Sequence, residues 1–569
     1  MTDPPELEPS GHADTFCRDS LSPRELWPDL LYTGVPELAY PPRLNAAAEL
    51  LASGMALCGE RGERKAILSP RGDWTYAELG AAVDRIARVL TEDLGMVPGN
   101  RVLLRSPNTP LLAAAWLAVV KAGGVAVCTM PMLRRRELVY IADKAEIRLA
   151  LTDAQLAPEC EQAMRATAGG ARVVRFQGGF QGGYQGGYQG TKGDRDPGSL
   201  EALMRDKPAG FPACDTAADD VAAILFTSGT TGKAKGTLHF HRDVLAVTDC
   251  FPRYVLKPVA DDVFCGTPSL AFAYGLGGLL LFPLRFGAAT LLLEQVAPPH
   301  LLQGIQEHRA TICFTAPTAY RAMSGLAGGY DLASLRACVS AGETLPAATY
   351  EAFRQATGLR IIDGIGTTEM LHQFVSAAGD EIRPGSTGRA VPGYEAKVVD
   401  ESGVEVPPGT IGRLAVRGPT GCRYLNDPER QRGYVQGGWN LTGDAYRMDA
   451  DGYFWYQART DDMIVSAGHN IAGPEVEGVL LEHPKVQECG VVGVPDDERG
   501  HVVKAFVVLA PGAAASEETV RELQEFVKAQ IAPYKYPRRV EFVASLPRTE
   551  TGKLQRFRLR QGATPPSGE

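Results

Sequence analysis

Apolar positions in this chain change spacing from one segment to the next, and strand signals alternate with helix signals over most of its length. Asn45 to Cys58 and Tyr76 to Leu90 carry helical apolar spacing, and Ala66-Ile67-Leu68 with Asp73-Trp74-Thr75 predicts a short hairpin. Arg101 to Arg105 predicts a strand, Leu111 to Lys121 an apolar helix, and Val125 to Cys128 a strand after Gly123-Gly124. Val221 to Phe226, Thr311 to Phe314, Leu335 to Ser340 and Leu359 to Asp363 continue the strand series. Such alternation predicts βαβ units around parallel sheet. Gly393 to Arg417 is richer in strand signals, and beyond Ala458 a compact α+β tail follows, with helices near Pro474 to Glu482 and Ser516 to Gln530. The expected division is an irregular surface arm over 1–44, a large α/β core over 45–458 and a small C-terminal domain over 459–569, with the boundary near 457–461 and the hinge near Asp461.

Two stretches break the pattern. Val263 to Leu284 has no charged side chain and is long enough to span a bilayer, but it holds Pro268, Pro283 and four glycines. It reads as buried core and pocket wall. Phe176 to Gly190 repeats Phe/Tyr-Gln-Gly-Gly, a glycine density that predicts a mobile surface loop. With no arginine inside the repeat, it makes a poor nucleic-acid contact.

At 569 residues the chain exceeds one ordinary core, so two or more domains are expected. A net charge of −9 argues against general nucleic-acid binding, which wants a basic face. Eleven cysteines include no C-x-x-C pair, and Met1 to Tyr40 is acidic and proline-bearing rather than a cationic apolar leader. Reduced thiols in a cytoplasmic protein are the expectation.

The candidate chemistry starts at Thr227-Ser228-Gly229-Thr230-Thr231-Gly232-Lys233-Ala234-Lys235-Gly236, directly after a strand. Three glycines allow a tight turn, while four hydroxyls, two lysines and backbone N–H groups supply donors for a polyphosphate. The Gly229-x-x-Gly232-Lys233 spacing is not a Walker loop, which excludes a P-loop ATPase or kinase. Three weaker signals follow. Asp363-Gly364-Ile365-Gly366-Thr367-Thr368-Glu369 presents hydroxyls and a carboxylate suited to a nucleotide and Mg²⁺, although an N-capping threonine with a first-turn glutamate is also a common structural device. Trp439-Asn440-Leu441-Thr442-Gly443-Asp444, with Arg459 fifteen residues on, offers a carboxylate for ribose hydroxyls; an ordinary Asx turn would look the same. Pro547-Arg548-Thr549-Glu550-Thr551-Gly552-Lys553 would by itself pass for a solvated tail.

In this order the four resemble the motif series of the adenylate-forming superfamily, which includes acyl-CoA synthetases, peptide-synthetase adenylation domains and luciferases, from about Leu50 to Arg560. The resemblance implies a large N-terminal domain and a small mobile lid that rotates between two half-reactions. It also implies roles. Thr227, Ser228, Gly229, Thr230, Thr231 and Lys235 would hold the β- and γ-phosphates; Glu369 would ligate Mg²⁺ and Thr368 touch the α-phosphate. Gly342, Glu343 and Asp363 would line the adenine site, with Gly364 a further ATP contact, Asp444 and Arg459 would hold the ribose, and Lys553 would bridge carboxylate and α-phosphate. Asp461 would be the hinge, and Ser466, Ala467, Gly468 and His469 the lid loop that faces the site during thioester formation. Ala234, Ala458 and Ala467 depart from the usual proline and glycines without removing a functional side chain. A catalytically dead homologue would be expected to lose Lys553, Glu369 or Asp444, and all three are present.

The wall Pro268 to Gly278 combines aromatic and small residues, which suits a flat apolar acid. Phe272 and Ala273 stand where peptide-synthetase domains usually carry an aspartate for an α-ammonium, so free α-amino acids are not expected. Asp363 to His372 resembles benzoate-CoA ligases, with a histidine in the pocket, while Leu270 to Pro283 looks more like the 2-aminobenzoate branch. The expected pocket is Phe272, Ala273, Tyr274, Gly275, Ala341, Gly366 and His372. The expected enzyme uses ATP, Mg²⁺ and coenzyme A to make 2-aminobenzoyl-CoA. Benzoate or another substituted benzoate is the alternative acid, and a carrier protein the alternative acceptor; no membrane or nucleic-acid partner is expected, and a homodimer is compatible with the reading.

Overall fold

A computed structural model of the chain describes residues 7–57, 62–177, 196–227, 234–459, 462–466, 469–496, 499–548 and 553–563. The glycine-rich repeat beyond Gln177, the centre of the expected phosphate loop at 228–233, the expected hinge Asp461, and Ala467 and Gly468 lie outside these residues.

The expected strands and helices form, with ends shifted by one to three residues. Helix Ala46–Ala56 is N-capped by the Asn45 side chain, and Tyr76–Arg88 opens on a Thr75/Glu78 capping box that satisfies the first free N–H groups. Among the described residues the strands make four sheets of nine, six, five and five strands. At the centre of the nine-stranded sheet, Val263–Gly266, Ile312–Thr315, Ala337–Ser340 and Ile361–Gly366 lie side by side and parallel. The six-stranded sheet ends in the antiparallel pair Val221–Thr227 and Lys235–Phe240. Burial on both faces explains why these strands read as continuous apolar runs rather than alternating ones. Glu395–Val399, Ile411–Arg417, Trp439–Met448 and Phe454–Arg459 belong to the third sheet, which is antiparallel; the fourth belongs to the C-terminal tail, with Val486–Asp496 against Gly500–Leu509.

The uncharged stretch becomes the strand Val263–Gly266 and three short helical turns between Ala273 and Arg285. Glycines and prolines break it before it can become one rod, and among the described residues no helix is long and apolar enough to cross a membrane.

The N-terminal arm differs from the expectation of a surface layer. Cys17, Trp27, Val35 and Leu38 are buried in the core. Asp219 and Asp220 tie the arm down: the Gly11 N–H donates to Asp220 at 2.8 Å, and Arg18 reaches both carboxylates at 3.2 and 3.1 Å. Local spacing does not reveal this, because the partners lie some 200 residues away.

Below the strand Lys235–Phe240 sits a fully buried ion pair, Arg423 with Asp243 at 2.7 Å, the guanidinium lying 3.9 Å from the Phe240 ring centroid. His239 and His241 are also fully buried here, and burial pushes both down to about 3. Folded, each stays neutral; unfolded, each takes up a proton near 6.5, so stability is lost as pH falls below that value. His239 makes no hydrogen bond of ordinary geometry and its polar neighbour is the Thr368 backbone, so leucine removes little hydrogen bonding. Between pH 7 and pH 5, His239→Leu should gain about 2 kcal/mol relative to wild type in denaturant titrations. Parallel pH curves would show that His239 is not held neutral.

Candidate active site

The candidate residues collect beyond the C-terminal ends of the parallel strands, where open α/β sheets present their loops. Ala337–Ser340 runs into Ala341-Gly342-Glu343, and Gly342 needs the glycine-favouring φ of +90°. Ile361–Gly366 runs into a short 3₁₀ turn, Thr368–Met370, capped by the Thr367 hydroxyl, which accepts from the Met370 N–H at 3.2 Å. The structural device and the candidate site are thus one turn: the cap fixes the backbone that carries Thr368 and Glu369.

Glu369 is buried, and its Oε1 accepts a 2.6 Å hydrogen bond from the Tyr424 hydroxyl. Tyr424 is itself held by the strand after the phosphate loop, bridging to Thr237, and by Gln431, whose Oε1 accepts from the Tyr424 N–H at 2.8 Å. Lys235 Nζ lies 5.8 Å from the Tyr424 ring centroid. Thr227 and Lys235 are paired across the hairpin, so both ends of the phosphate loop are fixed opposite one another. Sequence reading missed Tyr424 and Gln431, which lie 55 or more residues from Glu369 in a run without any periodic signal.

Asp363, at the same strand end, has one carboxylate oxygen shielded and unpartnered, and burial pushes its carboxyl up to about 8. Asp444 and Arg459 face each other across adjacent antiparallel strands, with Arg459 Nη1 3.1 Å from Asp444 Oδ1. Burial raises Asp444 above the ordinary carboxylate range, against the pull of Arg459. Lys553 reaches the Ala341-Gly342-Glu343 turn: a Cβ on Gly342 would lie 3.8 Å from Lys553 Cε. The structure therefore brings Glu343 and Asp444 within electrostatic reach of Lys553. Ser466, by contrast, is buried in the C-terminal hairpin, in register with His469 and Gly500.

The aromatic wall is built around His372. Leu371 takes the strained φ of +69°, turning the chain so that His372 follows immediately. The imidazole is buried with its centroid 4.5 Å from Phe282 and 5.8 Å from both Phe251 and Tyr274. Burial pushes it down to about 3, so it is neutral, and neither nitrogen makes a hydrogen bond of ordinary geometry. The Tyr274 hydroxyl donates to the Val339 carbonyl at 2.9 Å, which fixes its ring. A Cβ on Gly277 would lie 2.3 Å from His372 Cδ2, and one on Gly366 2.6 Å from the His372 backbone. Phe272 is half-buried and Ala273 and Gly275 are buried in the same wall; Ala341 is buried directly after the strand Ala337–Ser340. Asn108, another residue that sequence reading missed, clamps this loop by bonding Pro268 and Leu270.

Two family models match, that of AMP-binding enzymes over residues 57–424 and that of the AMP-binding enzyme C-terminal domain over 475–553. The chain belongs to the AMP-binding enzyme family. It is 34% identical to benzoate–CoA ligase of Thauera aromatica over 92% of this chain and 97% of that one. The solved structure of the anthranilate CoA ligase AuaEII in complex with anthranoyl-AMP superposes with a TM-score of 0.85 at 34% identity, covering 93% of this chain and 99% of that one. A benzoate CoA ligase from Burkholderia xenovorans LB400 gives 0.80 at 34% identity, over 91% and 99%. This AMP-binding enzyme is an AMP-forming acid–thiol ligase that uses ATP and CoA, and its relatives place it among the aryl-CoA ligases.

Among the described residues no group of three or more His, Cys, Asp or Glu side chains could hold a metal ion. A divalent cation would instead be shared between Glu369 and phosphate oxygens, the usual arrangement for Mg²⁺. Tyr424→Phe keeps the ring and removes the hydroxyl that orients Glu369. It should raise the Mg²⁺ concentration for half-maximal ATP–pyrophosphate exchange about tenfold and weaken Mn²⁺-ATP binding to match. Unchanged metal dependence would remove Tyr424 from this role.

Proposed function

We propose that this AMP-binding enzyme adenylates 2-aminobenzoate with release of pyrophosphate, then transfers the acyl group to CoA with release of AMP. The reading is carried by His372: a neutral imidazole, with no hydrogen bond of ordinary geometry beyond its approach to the Tyr274 backbone, set in an otherwise aromatic wall. An unsubstituted ring would leave the imidazole's remaining polar capacity unused, whereas an ortho-amino group offers a donor, and poorly paired buried polar groups are what make such sites selective. The likeness to an anthranilate CoA ligase supports the same acid. Benzoate is the alternative acid; a carrier protein in place of CoA is the alternative acceptor.

In this account the carboxylate of the acid, seated against Tyr274 and His372, attacks the α-phosphorus of ATP. Lys553 sits between carboxylate and α-phosphate and offsets their mutual repulsion, with Thr368 as a further donor. Thr227, Lys235 and the loop between them hold the departing pyrophosphate, Asp363 and Glu343 border the adenine, and Asp444 with Arg459 holds the ribose. A Mg²⁺ ion at Glu369 would screen phosphate charge. The resulting mixed anhydride has AMP as its leaving group, and the CoA thiol displaces it once the lid has carried Lys553 away.

Purified enzyme with ATP, Mg²⁺, CoA and a panel of acids should yield 2-aminobenzoyl-CoA as the dominant product by mass spectrometry. The panel includes benzoate, 2-hydroxybenzoate, a cinnamate and a medium-chain fatty acid. A dominant benzoyl-CoA product would move the substrate to the alternative, and adenylate without thioester would move the acceptor to a carrier protein. Lys553→Ala should lower adenylation at least 10²–10³-fold while sparing thioester formation from supplied aryl-adenylate. Equal loss of both steps would contradict the role given to Lys553.

A further inference from the structure

We propose that Arg548 is a positioning residue that latches the C-terminal lid onto the core in the adenylation state, by joining Glu488 of the lid to Glu343 of the core. Arg548 Nη1 donates to Glu343 Oε1 at 3.2 Å and its Nη2 donates to Glu488 Oε2 at 2.8 Å. Side-chain exposures of 28% for Arg548 and 15% for Glu343 place the core-side bond in a partly desolvated setting, where such pairs are worth more than on an open surface. Glu488 is more open, at 40%, and lies on the lid strand Val486–Asp496.

The segment carrying Arg548 is fixed to the same strand. Arg548 bridges to Leu554, the Gln555 N–H donates to the Pro547 carbonyl at 2.8 Å, and a Cβ on Gly490 would lie 2.9 Å from Leu554 Cδ2. Lys553 therefore lies next to Leu554, the antiparallel bridge partner of Arg548. Both cations reach the one Ala341-Gly342-Glu343 turn, Arg548 at Glu343 and Lys553 beside Gly342. Arg548 grips the turn so that Lys553 is presented to it.

The electrostatics fit a latch. Glu343 is largely buried, which favours its neutral form, and Arg548 is the principal charge opposing that. The bond to Glu488 stays within the lid and keeps the Arg548 side chain extended toward the core, so less rotamer freedom is lost at closure. The bond to Glu343 crosses from lid to core. A lid that rotates to admit the thiol breaks the second and keeps the first, so the latch stabilises only one of the two lid positions.

The inference rests on the two-step reaction proposed above, and its test separates the two. ATP–pyrophosphate exchange with the preferred acid reads the first step, and thioester formation from supplied aryl-adenylate and CoA reads the second. Arg548→Ala should slow exchange about tenfold and leave the second step unchanged or faster. Retention of the second step in the same preparation also shows that the variant is folded. Arg548→Lys, which keeps the charge and loses the fork, should regain part of the exchange rate. The wild-type rate of exchange should fall with salt more steeply than that of Arg548→Ala. Equal loss in both steps, no loss in either, or no gain from lysine over alanine would overturn the latch. Absence of exchange in the wild type would instead overturn the proposed reaction itself.

Discussion

One hydrogen bond, from the Tyr424 hydroxyl to Glu369, ties together three segments that the sequence keeps far apart. Tyr424 is in register with the strand that leaves the phosphate loop, Glu369 sits on the turn after a central parallel strand, and Gln431 holds the intervening loop. In the proposed reaction Glu369 lies beside a polyphosphate, which repels it until a cation intervenes, so its position has to be fixed in advance. The phenol does this without adding a compensating charge. Beneath it, Arg423 and Asp243 are buried together, and loss of either would strand the other as an unpaired charge.

The strands were legible because both-face burial leaves long apolar runs, and the motif turns because glycines, hydroxyls and lone charged side chains stand out at strand ends. The uncharged stretch from Val263 to Leu284 was legible as core through its own glycines and prolines. What local pattern could not reveal were the long-range partners. Trp27 and Leu38 look like residues of an irregular arm until Asp219 and Asp220 anchor that arm to the core. Asn108 and Tyr424 carry no motif, and their roles exist only as contacts to loops 160 and 55 residues away. Arg548 was in plain view within a recognised motif, but its two acidic partners come from different parts of the chain.

The aromatic wall around His372 shows the same economy. Gly277 and Gly366 let the backbone press against His372, and the strained Leu371 aims the turn. Surrounded by aromatic rings, the imidazole stays neutral across the physiological range, so it can offer a lone pair or a proton without introducing charge. Under the proposed function, this wall favours a flat acid with a small polar ortho group over an alkyl chain or an α-ammonium.

Calorimetric binding of non-hydrolysable acyl-sulfamoyl adenosines tests this preference most directly, because the adenosine half is constant and only the acyl group varies. The account predicts the 2-aminobenzoyl analogue to bind most tightly, the benzoyl analogue next, and the hexanoyl analogue about a hundredfold more weakly than the first, with the preference for the ortho-amino group lost in His372→Phe. A hexanoyl analogue that binds as tightly as the 2-aminobenzoyl one, or an ortho-amino preference that survives in His372→Phe, would contradict it.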